Sequence, residues 1–147
     1  MADIAVVCAR CQPPTRAHFA ALAHAATLAP RVVLLMLNAD DACSPANPFD
    51  NDMRLTLLRA ALDDAVTVLM LRDRRYEPLR WAAAAEATLR AVAGEGAVVV
   101  LGDVDNASTS LPLPDTWQRA DSDVQLAAAE AAARGALFGD DQPAWAR

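Results

Sequence analysis

The apolar positions of this chain fall into short unbroken runs, and helical stretches rich in Ala separate them. Ile4–Ala9, Arg31–Leu37 (RVVLLML), Val66–Leu71 and Ala97–Leu101 are the runs. Thr15–Leu28, Asp50–Leu62, Pro78–Val92 and Asp123–Phe138 carry the helical pattern. A strand that shows one face to water alternates apolar and polar residues; a strand buried on both faces does not. Four continuous runs alternating with helices therefore predict an α/β domain, a Rossmann-like doubly wound parallel sheet with right-handed crossovers. Asp50 fits a helix N-cap and Pro78 a first helical turn. Gly94 and Gly96 punctuate the approach to the fourth run. Residues 38–49, 72–77 and 103–122 read as loops. The pattern predicts a single domain over 1–138 and, over 139–147, a polar tail or the start of a linker.

Ligands of such sheets bind beyond the carboxyl ends of the strands. Four polar segments meet at that edge: Arg10 to His18, Asn38 to Asp41, Arg72 to Arg75 and Gly102 to Asn106. The first is the most informative. An apolar strand runs into Ala9-Arg10-Cys11-Gln12-Pro13-Pro14-Thr15-Arg16-Ala17-His18 and then into a helix. The prolines stiffen the turn, and its polar side chains are Arg10, Gln12, Thr15, Arg16 and His18. A helix N-terminus has free N–H groups and a partial positive charge. Arg10, Thr15 and His18 add donors around that point, so the turn reads as a phosphate-handling site.

Composition narrows this reading. The chain has 147 residues, 54% of them hydrophobic, and a formal net charge of -6. That size supports one core, and the acidic balance argues against non-specific nucleic-acid binding. No apolar run approaches a membrane span, and no basic segment followed by an apolar one marks a signal peptide. Three cysteines, Cys8, Cys11 and Cys43, with no secretion signal fit a reducing cytoplasm. The Cys8-x-x-Cys11 spacing has no second close pair to complete a zinc site, so no metal ligands are assigned. Neither a Gly-rich P-loop nor a G-x-G-x-x-G turn follows the first strand. With only two histidines, a hydrolytic triad has little to draw on, and His24 lies off the helix face of His18.

ARCQPPTRAH resembles the GRFQPxHxGH signature of the nucleotidylyl transferase superfamily, whose helix-capping motif is His/Thr-x-Gly-His. More narrowly, the chain is similar to the nicotinamide mononucleotide (NMN) adenylyltransferase domain that some bacteria fuse to a Nudix hydrolase. Asn47-Pro48-Phe49 with Arg54 resembles that family's NPFxxxER segment. Leu71-Arg72-Asp73, Tyr76 and Trp81 resemble its LRDxxYxxxxW segment. Gly102 to Ser108, Pro114 and Trp117 loosely follow its GxxKDxS…FPxW stretch.

The resemblance implies adenylyl transfer from ATP to NMN, giving NAD and pyrophosphate, with Mg²⁺ accompanying ATP. It implies catalytic roles for His18, Arg10 and Thr15, the first steadying the transferring phosphates. It places Gln12, Arg16, Asn47, Arg54, Asp73, Trp81 and Gly102 about the nucleotides, Arg54 on a phosphate and Asp73 and Trp81 near the nicotinamide ribotide. ATP and NMN or NAD are then the expected partners, with neither nucleic acid nor membrane. A downstream Nudix domain and a homo-oligomer are left open.

Three departures stand out. Ala17 replaces the motif glycine, Asp105 or Asn106 stands where a lysine is expected, and no arginine falls in Ser122 to Ala127, where a late phosphate-binding arginine belongs. Weak transfer is therefore expected unless Arg16, Arg74 or Arg119 substitutes. Plainer readings also stand: Trp81 fits a core position as well as a ligand platform, Asn47-Pro48-Phe49 fits a turn anchored by Phe49, and Arg72, Arg74 and Arg75 fit a solvated loop. The alternatives in function are a nucleotidylyl transferase using CTP or another acceptor, and a non-catalytic nucleotide-binding module.

Overall fold

The computed structural model describes residues 2–11, 13–37, 49–62, 65–71, 78–102, 114, 116–119 and 126–138. Its elements run β1 (Ile4–Ala9), α1 (Arg16–Leu28), β2 (Arg31–Met36), α2 (Asn51–Arg59), β3 (Val66–Met70), α3 (Pro78–Ala93), β4 (Val98–Gly102), β5 (Gln118–Arg119) and α4 (Leu126–Phe138). The strands form one sheet of order β3-β2-β1-β4-β5, parallel at every pairing. This is the doubly wound α/β architecture that the apolar runs predict.

β1 lies at the centre and is buried throughout. Its side chains alternate between two cores, as a strand's must. Ile4, Val6 and Cys8 face a core shared with Trp81, Ala85, Leu89 and Ala93 of α3 and with Trp117. Ala5, Val7 and Ala9 face a second, shared with Ala21, Leu22 and Ala25 of α1 and Leu58 of α2. α4 packs against α1 on this second side. Burial on both faces is why the strands carry no polar alternation.

The predicted boundaries hold to within a few residues, and the caps explain several of them. Thr15 is the N-cap of α1, with extended backbone. Asp50 caps α2, its Oδ1 accepting the N–H of Met53 at 2.8 Å. Gly94 follows α3 with φ 74, and Gly96 has φ 137 before β4. A strand within 103–122, which reads as loop, is the exception. β5 is two residues long, Gln118–Arg119, and becomes a strand only by pairing with Val99 and Val100 of β4. So short a polar edge strand has no pattern of its own. Among the described residues, no helix is long and apolar enough to cross a membrane.

Candidate functional site

The strand order reverses at β1: β2 lies on one side of it and β4 on the other. At such a point successive crossovers leave in opposite directions and a crevice opens beyond the carboxyl ends. Arg10 and Cys11 leave β1 there, and Gly102 ends β4 in register with Cys8.

The turn after β1 is tightly held. Cys11 is fully buried and has φ 54, a left-handed conformation that costs a residue with a Cβ about 1–2 kcal/mol. Arg54 helps hold it. This arginine is fully buried, and its Nη1 donates to Arg10 O at 2.9 Å and to Leu37 O at 2.8 Å. Its Nε donates to Asp50 O at 3.3 Å and its Nη2 to Asn51 Oδ1 at 2.8 Å. Arg54 thus ties together the chain leaving β1, the chain leaving β2 and the start of α2.

α1 opens on an interlocked pair. The Thr15 N–H donates to His18 Nδ1 at 2.9 Å, and Thr15 Oγ1 lies 2.8 Å from the same nitrogen. A backbone N–H can only donate, so Nδ1 is the acceptor and the ring proton sits on Nε2. Nε2 then donates to Glu130 Oε1 at 2.9 Å. His18 belongs to the buried stripe of α1 with Ala21, Leu22 and Ala25 and has no exposed surface. That stripe follows from 3.6-residue periodicity, which puts positions three, four and seven residues on over the same face.

Glu130 reaches this point from α4 and is also fully buried. Its Oε2 has no hydrogen-bond partner; Arg10 Nε lies 3.9 Å away. Arg134, one helical turn further along α4, feels both charges. Burial holds its guanidinium below the usual arginine range; Glu130 counters that effect and Arg10 adds to it. Arg10, Glu130 and His18 therefore meet beside the α1 N-terminus, with Arg134 one helical turn along α4.

The structure brings Thr15 and His18 into contact and sets Arg10 beside them through Glu130. Arg16 is exposed on the first turn of α1. Trp81 is in the α3-side core, and Arg54 sits behind the turn, bonded to its backbone. Gln12, Asn47 and Asp73 lie outside the described residues. So do Cys43, Arg74 and Asp105; Arg119 lies in β5.

Glu130 and Arg134 are the site residues that sequence reasoning passed over. A signal was available: they are the only charged residues in LAAAEAAARGALF, four apart on an otherwise apolar helix. Such a pair reads as surface stabilisation until the helix is known to dock on α1. Among the described residues, no group of three or more His, Cys, Asp or Glu side chains could hold a metal ion.

This fold resembles two solved structures of a bifunctional NMN adenylyltransferase/ADP ribose pyrophosphatase from Francisella tularensis. The first superposes with a TM-score of 0.70 at 16% identity, covering 100% of this chain and 46% of that one. The second, complexed with AMP and an Mn ion, superposes with a TM-score of 0.70 at 18% identity, covering 98% of this chain and 45% of that one. The chain thus spans about half the length of the proteins it resembles, and at this identity the likeness is one of fold. No family model and no curated protein matches the chain.

Proposed function

We propose that this chain is a nucleotidylyl transferase domain that joins the AMP portion of ATP to NMN. The observation that carries the reading is the meeting of Arg10 and His18, through Glu130, at the N-terminus of α1, in the crevice where the sheet order reverses. The motif resemblance of residues 9–18 and the fold likeness to a bifunctional protein with NMN adenylyltransferase activity support it.

An oxygen of the NMN phosphate attacks the α-phosphorus of ATP, the bond to the bridging oxygen of the β-phosphate breaks, and pyrophosphate leaves. Positioning and charge stabilisation carry such a step more than proton transfer does. Arg10 and the α1 N-terminus take the leaving phosphates. Arg134 supplies the positive charge that the missing lysine and late arginine would have given, a role for which Arg16, Arg74 and Arg119 are the other candidates. Mg²⁺ arrives with ATP on its phosphates. Arg54 serves the site from behind by fixing the Arg10 backbone, and Trp81 packs in the α3-side core. Gln12, Arg16, Asn47, Asp73 and Gly102 complete the nucleotide contacts, and a Nudix domain downstream is the partner this reading favours.

The test is to incubate the chain with MgATP or MgCTP and NMN, follow pyrophosphate release, and identify the product by mass. Slow NAD formation from ATP is expected. Nucleotide binding without any product would favour the non-catalytic module. One observation supports that second reading: the Nε2–H of His18, the donor a phosphate would use, is held by Glu130.

A further inference from the structure

We infer that Glu130 is an internal carboxylate occupying the seat of the ligand phosphate, and that it sets the affinity of the site for anions. The inference rests on the phosphate-handling reading of the β1–α1 turn.

Glu130 is fully buried, 112 residues from its partner in sequence. Its Oε1 receives the one ring proton that His18 can offer, because Thr15 N–H already fills Nδ1. Its Oε2 points towards Arg10 at 3.9 Å without making a hydrogen bond. A buried carboxylate serving only as a structural bridge satisfies both oxygens, since an unbonded buried oxygen is costly. This one is left half-satisfied between the Arg10 guanidinium and an imidazole N–H, with Arg134 one helical turn along α4. Arg10 and His18 are donors for a phosphate, and a carboxylate is the internal group closest to one in charge and geometry.

The charge count gives the consequence. Arg10 and Arg134 are cationic, Glu130 is anionic, and His18 is neutral in the tautomer that Thr15 imposes. The cluster carries one net positive charge with Glu130 ionised and two without it. A polyphosphate must turn the carboxylate aside before it can take the Nε2–H and the Arg10 guanidinium. Glu130 therefore competes with the ligand, and His18 donates to only one of them at a time.

The experiment is calorimetric titration of inorganic pyrophosphate into the wild-type chain and into Glu130→Gln. The amide keeps an oxygen for His18 Nε2–H and removes the charge. Pyrophosphate should bind the variant about tenfold more tightly or better, as the loss of one opposing charge a few ångströms away implies. A second measurement needs no variant: in the wild type labelled with ¹⁵N-histidine, pyrophosphate should move the Nε2 resonance of His18 and leave Nδ1 in place. Equal or weaker binding by Glu130→Gln, or a bound state in which Nε2 is unmoved, overturns the inference and leaves adenylyl transfer standing. Tighter binding by the variant with no NAD formed from ATP and NMN upholds the inference and overturns the transfer reading. No pyrophosphate binding by either protein removes both.

Discussion

The two ends of the sheet use the same residue types to different ends. At the amino end, Arg31, Arg90, Glu86 and Asp3 each close a structural gap. Arg31 donates to Ala93 O at the end of α3. Arg90 pairs with Glu86 at 2.7 Å and reaches Gly94 O and Gly96 O, each at 3.0 Å. Glu86 also accepts from Trp117 Nε1, and Asp3 accepts the Ala97 N–H at 2.8 Å. At the carboxyl end, Arg54 is bonded in the same saturated way, but Glu130, 3.9 Å from Arg10 Nε, keeps an unbonded oxygen. The difference teaches where to look for chemistry: a fold satisfies its buried polar groups wherever it can, and a group left half-satisfied among cations marks a place kept for something else.

The largest effect that would sharpen this contrast comes from Arg54. Arg54→Ala should destabilise the chain by about 2–6 kcal/mol, because it strands two carbonyls at the ends of β1 and β2, each costing about 1–3 kcal/mol. Denaturant unfolding measures it. A loss under about 1 kcal/mol, well below that range, would mean the clamp is dispensable and return Arg54 to the phosphate role its motif implies.

Next comes the His18–Glu130 pair. His18→Ala should cost about 1–3 kcal/mol, because it leaves Glu130 without a donor. Combining it with Glu130→Gln should recover part of that loss, with a coupling of about 0.5–3 kcal/mol. Additive effects would show that the two do not act on one another. On activity, His18→Ala should lower pyrophosphate release on the order of a hundredfold; a folded variant with full turnover would remove His18 from the reaction.

At the amino end, Gly96→Ala should lower stability by about 1–3 kcal/mol without changing the affinity for pyrophosphate. A Cβ there would lie 2.7 Å from Asp3 Cβ, and φ is 137. A changed affinity would break the separation between the two ends. The smallest effect belongs to the caps: Asp50→Ala removes the bond to Met53 N and should cost about 0.5–2 kcal/mol, read as a shift of the unfolding midpoint.

Much of this was legible along the chain. β1, the capping threonine and α1 follow from an apolar run, a proline-stiffened turn and an Ala-rich helix, all local features. Asp50, Pro78, Gly94 and Gly96 likewise mark boundaries by their own backbone preferences. β5 was not legible, because Gln118–Arg119 is a strand only through its partner. His18 was legible as a site residue but not as a buried one: the stripe it shares with Ala21, Leu22 and Ala25 acquires its meaning when α4 covers it.

The sequence by itself determined the parallel doubly wound sheet and the identity of its first turn, because hydrophobic periodicity and turn chemistry act over a few residues. The long-range packing alone makes Arg54 support the backbone of Arg10 and brings Glu130 onto His18. Those contacts join positions up to 112 residues apart. No local preference encodes such a meeting; it exists because packing α4 onto α1 brings Glu130 over the buried stripe that holds His18.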